Sequence, residues 1–140
     1  MKLLTVTVPC YNSAAYMERC LQTLLLGGEE MDILIVDDGS TDETGAIADR
    51  YAAQYPELVR VIHQENGGHG EGINQGVRNA RGLYFKVVDS DDRLDPAALT
   101  KLLAALRRYT APEEQLDLIV NNYVYDREDE QAVFAVNYRV

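Results

Sequence analysis

Short apolar runs alternate with amphipathic stretches along most of the chain. Four of the runs predict strands, because they are short, rich in aliphatic residues and bounded by turn-forming residues. The second run is almost entirely aliphatic, as expected of a strand that is covered on both faces. Strands alternating with helical stretches are typical of βαβ units, so we expect an α/β fold with a mostly parallel central sheet flanked by helices. The predicted strands are residues 3–8, 33–36, 58–63 and 83–88.

Capping patterns mark the starts of the predicted helices. Ser40 and Glu43 fit a capping box, in which Ser40 is the N-cap and Glu43 reaches back to its amide. Asp95 followed by Pro96 predicts an N-cap and a first-turn proline for a later helix. A short helix is predicted over residues 73–80, after a glycine-rich stretch.

The pattern loosens after Pro112, where residues 116–125 and 132–140 read as two further strands. No internal repeat or low-complexity linker divides the chain, so we expect a single domain over residues 1–140. Because the last strand-like run has no closing element after it, we interpret the chain as a fragment of a longer protein.

Composition and charge exclude several classes of function. The net charge is −10, and Arg107-Arg108 is the only adjacent basic pair, which argues against nucleic acid as a partner. No apolar run reaches the roughly 20 residues of a membrane span, and the N-terminus does not fit a signal peptide. We therefore expect a cytoplasmic domain, with membrane association left to parts outside this chain. Cys10 and Cys20 show no metal-ligand spacing and are expected to be reduced, buried thiols.

Polar residues follow all four predicted strands. Ligands of open parallel sheets bind at the carboxyl ends of the strands, so these residues are the candidates for chemistry. Two of the four ends carry carboxylate clusters, which repel each other unless a cation joins them. Oxygen ligands of this kind suit Mg²⁺ or Mn²⁺, and such a cation would also let an acidic protein hold an anionic substrate. The strand ends are residues 9–12, 37–40, 66–72 and 89–92.

Each of these features has a simpler reading. Asp37, Asp42 and Asp95 could do no more than cap helices and fill turns. The glycine-rich stretch lacks both nucleotide fingerprints and by itself indicates a turn with close backbone approach. Tyr11 could be a core aromatic or could stack on a base, and His69 could line a pocket or serve as a donor or base.

Taken together, the motifs resemble the inverting family 2 glycosyltransferases. The order and spacing of the motifs agree with that family from about residue 3 to residue 106. The matching pieces are residues 7–12 (Thr-Val-Pro-Cys-Tyr-Asn), 36–42 (Val-Asp-Asp-Gly-Ser-Thr-Asp), 66–68 (Asn-Gly-Gly), Asn74, 79–82 (Asn-Ala-Arg-Gly) and 88–92 (Val-Asp-Ser-Asp-Asp).

The resemblance implies a GT-A fold, a Rossmann-like three-layer sandwich in which the first strand lies beside the fourth. It also implies a nucleoside-diphosphate sugar as donor, usually a uridine one, and Mg²⁺ or Mn²⁺ at an Asp-x-Asp motif. Pro9 and Tyr11 would then border the nucleobase, and Asp38 would accept the imide hydrogen of the base. Asp91 would be the direct metal ligand, with Asp89 against the ribose or on the metal.

The same resemblance completes the set of predicted site residues. Asp37 would be the structural neighbour of Asp38, and Asp92 would be a third carboxylate beside the metal. Some family members have a basic residue near the position of Gly68. The remaining residues expected to bind the nucleotide-sugar are Asn12, Asn66, Gly68, His69, Asn74 and Ser90.

The resemblance places the general base beyond Val140, so no residue of this chain is predicted to be catalytic. The acceptor would be a saccharide, a lipid or a protein, and the sequence does not indicate an oligomeric state. Two other functions fit parts of the pattern: a non-catalytic nucleotide-binding α/β domain, such as a receiver-like module, and a nucleotidyltransferase. A receiver would carry its phosphoacceptor Asp after the third strand, where this chain has residues 63–66 (His-Gln-Glu-Asn), and a nucleotidyltransferase would carry a glycine- and basic-rich stretch after the first.

Overall fold

The computed structural model describes residues 1–126 and 133–138. The chain divides into two compact units, Met1–Thr110 and Ala111–Val140. The first unit contains four strands and four helices in alternation, as well as a short 3₁₀ turn over Gly28–Glu30. Its elements are β1 (Leu4–Cys10), α1 (Met17–Leu25), β2 (Met31–Asp38), α2 (Thr44–Gln54), β3 (Val59–Gln64), α3 (His69–Asn79), β4 (Tyr84–Val87) and α4 (Pro96–Arg107).

The four strands form one parallel sheet in the order β3-β2-β1-β4. The predicted parallel α/β fold is therefore confirmed, including the position of the first strand beside the fourth. Every residue of β1 and β2 is buried, including three aspartates of β2, and the centres of both strands are largely aliphatic. A fully buried Val, Leu or Ile stabilises the fold by about 1.5–3 kcal/mol, so these two central strands dominate the core.

Helices cover both faces of the sheet. The helix α3 lies on the face that carries Thr7 and Pro9, and glycines allow the close approach: a side chain at Gly76 would overlap Thr7, and a Cβ at Gly72 would lie 3.2 Å from Pro9 Cβ. The helix α2 lies on the opposite face, where a Cβ at Gly45 would lie 2.9 Å from Asp37 Oδ2. Successive residues of a strand point to opposite faces, so the side chains of Asp37 and Asp38 lie on opposite faces of the sheet.

A buried ion pair joins the amino ends of the strands. Asp32 of β2 is 2% exposed, and both of its carboxylate oxygens lie 2.8 Å from nitrogens of Arg60 of β3. The Thr5 hydroxyl of β1 donates to Asp32 and accepts from the amide of Gly82, just before β4. Burial alone would raise the pKa of Asp32, but the bonds from Arg60, Thr5 and the Arg81 amide lower it. We name this group the amino-edge network: Thr5, Asp32, Arg60, Arg81 and Gly82.

The helix caps agree only in part with the sequence. The predicted cap at Asp95 is confirmed, because its carboxylate accepts a hydrogen bond from the Ala98 amide. The capping box at Ser40 is wrong: α2 begins four residues later, at Thr44, and Glu43 forms no side-chain cap. The Ser40 amide instead donates to Asp37, and its hydroxyl accepts from the Asn12 amide, so this residue belongs to the loop.

The helix α3 begins at His69, inside the glycine-rich stretch, rather than at residue 73 as predicted. Glycine has low intrinsic helix propensity, so the sequence favours a loop there. Tertiary packing reverses that preference, since Gly72 and Gly76 are buried against β1.

The second unit contains an antiparallel pair, β5 (Tyr123–Asp126) and β6 (Val133–Val136). The predicted strand over 116–125 is therefore confirmed only at its end. Part of the prediction over 132–140 falls on residues outside the described ranges. Within this unit the rings of Tyr123 and Tyr125 meet edge to face, with centroids 5.4 Å apart.

Candidate functional site

A pocket of about 350 Å³ opens at the carboxyl ends of β1 and β2. Its position is the one expected for the ligand of an open parallel sheet, and its volume is in the range of small-molecule sites. A larger pocket of about 550 Å³ lies at the amino edge, but it has no strand-end carboxylates and no glycine-rich loop. The pocket at the carboxyl ends is lined by Cys10, Gly72 and six of the predicted site residues. These six are Pro9, Tyr11, Asp38, Asn66, Gly68 and His69.

Tyr11 provides the aromatic surface of this pocket. Its side chain is 53% exposed, so it is not the core aromatic of the simpler reading. The next residue, Asn12, has a positive φ of 48° and turns the chain away from β1. The Asn12 side-chain oxygen accepts from the Thr41 amide at 2.8 Å, and so it joins the loops that follow β1 and β2. In this structure Asn12 supports the loop beside the pocket instead of lining it.

Asp38 is almost completely buried and holds the glycine-rich loop. Its Oδ1 accepts from Gln64 Nε2 at 2.9 Å and from the Gly67 amide at 2.7 Å, and its Oδ2 accepts from the Gly68 amide at 2.9 Å. Burial would raise the pKa of Asp38, but these three hydrogen bonds outweigh it and lower the pKa below the ordinary value. A carboxylate has about four acceptor positions, so one remains on Oδ2 for a ligand.

Asp37 points to the other face and is used by the protein itself. Its Oδ1 accepts from the Ser40 amide, and its Oδ2 lies 2.9 Å from His63 Nδ1. The other ring nitrogen of His63 lies 2.7 Å from Asp49 Oδ1 on α2. Asp49 first, and then Asp37, raise the pKa of His63 above its usual value. These contacts agree with the expectation that Asp37 is a structural neighbour of the site.

His69 lies between the pocket and the loop of residues 89–92 after β4, which we call the acidic loop. It is the first residue of α3, after Gly68 with a φ of 93°, and its Nε2 lies 3.5 Å from Asp89 Oδ1. Both side chains are more than a third exposed, so the contact is open to water. Asn74, one helical turn further on, bonds to Glu71 and does not line the pocket.

The acidic loop contains three exposed carboxylates close together. One oxygen from each of Asp89, Asp91 and Asp92 lies within 4.8 Å of the others. Burial, followed by the charges of Asp91 and Asp89, raises the pKa of Asp92. Ser90 is the exception in this loop: it is 8% exposed and its hydroxyl lies 2.7 Å from that of Ser13.

This donor set fits a hard divalent cation. All three side chains offer carboxylate oxygens, and the charges of Asp91 and Asp89 help to raise the pKa of Asp92, as expected for carboxylates that repel one another. Mg²⁺ and Mn²⁺ prefer oxygen ligands and keep water or substrate oxygens at their remaining positions, which the exposure of these residues permits.

Four contributors to the site were missed by sequence reasoning. Gln64 lies opposite Asp38 in the β2–β3 register, and this pairing could have suggested its contact. Ser13 and Thr44 carried no such signal, because their partners lie far away in sequence. Cys10 lines the pocket, and burial, with a smaller contribution from Asp37, raises the pKa of its thiol to about 12. The prediction of buried, unpaired cysteines is confirmed.

The fold and the site together define a GT-A type α/β domain, with a pocket and a carboxylate cluster at the carboxyl edge of its sheet. The chain belongs to glycosyl transferase family 2, whose family model matches residues 5–112. It is 36% identical over 138 residues to glycosyltransferase GlyG of Streptococcus pneumoniae, covering 96% of this chain and 44% of GlyG. It is also 36% identical over 140 residues to chondroitin synthase of Escherichia coli, covering 90% of this chain and 20% of that protein.

Solved structures give the same assignment. Residues 1–349 of TarS from S. aureus, in complex with UDP, match with a TM-score of 0.66 and 32% identity, covering 78% of this chain and 33% of that TarS fragment. The mannosyltransferase PcManGT from Pyrobaculum calidifontis, in complex with GDP-Man and Mn²⁺, matches with a TM-score of 0.66 and 27% identity, covering 78% of this chain and 32% of that one. The chain thus spans less than half the length of these relatives. Within residues 1–126 and 133–138, no helix is long and apolar enough to cross a membrane.

Proposed function

We propose that this domain binds a nucleoside-diphosphate sugar together with a divalent cation. The domain would be the donor-binding part of a longer enzyme that transfers the sugar to an acceptor hydroxyl with inversion. The main support for the proposal is the exposed carboxylate cluster beside the pocket. Asp89 of the cluster contacts His69, and His69 lines the pocket.

The pocket supports a nucleoside as the first part of the ligand. The half-exposed ring of Tyr11 offers a flat apolar surface on which a base can stack. The remaining acceptor position of Asp38 suits an imide N–H, which uracil has. Asn66, Gly68 and His69 lie around the same opening and would approach the donor, with Pro9 beneath the base. A uridine donor is accordingly our first choice of ligand.

The cluster supports a cation as the second part. Asp91 would hold it with Asp89, and Asp92 would add negative charge beside it. When bound, the cation would act as a Lewis acid that stabilises the charge of the departing diphosphate. Relatives support this division: TarS has been solved with UDP and with UDP-GlcNAc, and PcManGT with GDP-Man and Mn²⁺.

The acceptor half of the reaction is placed outside this chain. Inverting transfer needs a base on the face opposite the leaving group, and we propose that this base lies beyond Val140. The chain alone would then bind donor without transferring sugar. A saccharide chain is the acceptor class we favour, since one similar protein is a chondroitin synthase; a lipid or protein acceptor would be distinguished by assay of the longer enzyme.

Calorimetry with UDP, in EDTA and then in MnCl₂ or MgCl₂, tests the proposal. We expect UDP to bind with a stoichiometry of one and at least tenfold more tightly with metal than in EDTA, a difference of about 1.4 kcal/mol. GDP in the same titration compares the bases. Asp117→Ala is a control for the loss of one negative charge elsewhere in the chain. It removes one exposed carboxylate of the second unit and leaves the cluster intact, so its UDP binding should match that of the wild type.

Two results would contradict the proposal. No binding of UDP or GDP by the folded chain would remove the nucleotide site altogether. Binding that is equally tight in EDTA would favour the alternative of a metal-independent, non-catalytic nucleotide-binding domain.

A further inference from the structure

Ser13 connects the three loops that surround the candidate site. Its amide donates to the Thr44 hydroxyl at 2.8 Å, which ties the loop after β1 to the start of α2. Its hydroxyl lies 3.4 Å from the Tyr11 carbonyl oxygen and 2.7 Å from the Ser90 hydroxyl. Ser13 and Thr44 are 1% and 0% exposed, so water does not compete for these bonds.

Either serine hydroxyl can be the donor in the bond between them, and one choice of directions accounts for both contacts of the Ser13 hydroxyl. A serine hydroxyl donates one hydrogen and can accept two. Both contacts are therefore satisfied when Ser90 donates to Ser13 and Ser13 donates to the Tyr11 carbonyl. The result is a directed chain from the acidic loop to the residue that carries the aromatic surface of the pocket.

Ser90 is the buried point of an otherwise exposed acidic loop. The carboxylates on both sides of it, Asp89 and Asp91, are exposed, and one oxygen of each lies within 4.8 Å of one of Asp92, so their negative charges repel each other. Repulsion favours conformations in which the loop spreads. The bond to Ser13 opposes this, because it holds the one buried side chain of the loop to a second buried hydroxyl.

We propose that Ser13 is a positioning residue that fixes the acidic loop relative to Tyr11, so that one nucleoside diphosphate engages the pocket and the cation together. This inference rests on the function proposed above. It assigns Ser13 no contact with the ligand. Its effect is on the coupling between metal and nucleotide, because the pocket and the cluster are separately complete without it.

The test compares the metal enhancement of UDP binding, defined as the ratio of the Kd in EDTA to the Kd in MnCl₂, between the wild-type chain and four variants. We expect Ser13→Ala to leave the Kd in EDTA within about twofold and to reduce the enhancement about three- to tenfold, the range of one net hydrogen bond. Ser90→Ala removes the same bond from the other side and should reduce the enhancement by a similar factor, whatever its Kd in EDTA. The double variant should be no worse than either single one, since all three lack the same bond.

Tyr51→Phe is the matched control, since it removes a part-buried hydroxyl that donates to Glu18, outside the site. It should keep the full enhancement even if it lowers Tm as much as Ser13→Ala does. Loss of enhancement in proportion to Tm across all variants would show that stability, not position, is responsible, and would overturn the inference.

The outcomes separate this inference from the proposed function. If the wild-type chain shows no enhancement, both fail. If the wild-type chain shows it and Ser13→Ala or Ser90→Ala retains it, only the positioning role is overturned. If Ser13→Ala does not fold, Ser90→Ala decides, because it leaves the amide bond between Ser13 and Thr44 intact.

Discussion

Two groups of aspartates stand at the carboxyl edge of one sheet and have opposite environments. Asp37 and Asp38, at the end of β2, are buried and bonded to other parts of the protein. The three carboxylates after β4 are exposed and lie against one another. One member of each group shows the contrast in its pKa: hydrogen bonds lower the pKa of Asp38 against the effect of burial, whereas burial and neighbouring charge raise the pKa of Asp92.

The difference separates two uses of the same side chain. A buried carboxylate that accepts several hydrogen bonds organises the protein, and its removal should damage the loop it holds. A crowded, exposed carboxylate costs the folded state a little free energy and gains stability only from an external cation. Substitutions in the two groups should therefore have different signatures in folding and in binding.

The largest expected effect is the loss of metal-linked stability in Asp91→Ala. Mn²⁺ at a hundredfold excess over its Kd should raise the free energy of unfolding of the wild-type chain by about 2.7 kcal/mol. In Asp91→Ala this increment should fall close to zero, while stability in EDTA stays within about 0.5 kcal/mol of wild type. Urea unfolding with and without Mn²⁺ measures both. A variant that fails to fold in EDTA would mean that the acidic loop is structural.

Asp38→Ala should have the opposite signature, with a loss of about 2 kcal/mol in EDTA from the three hydrogen bonds it removes. Urea unfolding measures the loss, and amide hydrogen exchange at Gly67 and Gly68 locates it. Asp38→Asn keeps one acceptor oxygen and should lose less. Because the folded pKa of Asp38 is lowered, its contribution is present above the ordinary value of 3.8 and disappears as pH falls through the lower, folded value. Unchanged stability in both variants would refute the role assigned to Asp38.

The contacts of His63 with Asp37 and Asp49 should make the free energy of unfolding depend on pH. The change should be less than about 1 kcal/mol, because the His63 side chain is 47% exposed. Its folded pKa is raised, so its contribution is complete below the unfolded value of 6.5 and is lost as pH rises through the folded value. The stability difference between wild type and His63→Gln, followed by urea unfolding from pH 5.5 to 9, should shrink as pH rises. Asp49→Asn removes the carboxylate that raises the pKa of His63 most, and should make the stability difference vary less with pH. A difference that grows as pH rises would contradict the raised pKa of His63.

The smallest effect is expected for Asp92→Asn. Removing one of three repelling charges should raise the free energy of unfolding in EDTA by no more than about 0.5 kcal/mol, since the loop is exposed and screened. Asp117→Asn removes the same charge away from the cluster and should not change stability. A clear loss of stability in Asp92→Asn would show that this carboxylate makes a favourable contact, and the contrast with Asp38 would weaken.

Local sequence patterns were sufficient for most of the sheet. Apolar runs bounded by turn residues located the four strands to within a few residues, and the alternation with helices predicted that they are parallel. Where local preference and packing disagree, the sequence misled. Three glycines favour a loop at the start of α3, but burial of Gly72 and Gly76 against β1 makes that segment helical. The capping-box pattern at Ser40 was likewise overridden by its contacts with Asp37 and Asn12.

The site divides in the same way. Strand ends and spacing were enough to bring Tyr11, Asp38 and His69 to one pocket, and to place Asp89 beside it. The bond between Ser13 and Ser90 joins residues 77 positions apart. No local pattern encodes such a pair, because each serine reads as an ordinary loop residue until the fold brings them together.

The amino-edge network has a consequence for how such domains diversify. Its bonds link β1, β2, β3 and the start of β4 at the edge opposite the pocket, through a buried ion pair that does not line the pocket. The loops at the carboxyl edge therefore do not have to hold the strands together by themselves. They can change length and chemistry, and with them the choice of ligand, while the scaffold beneath is inherited intact.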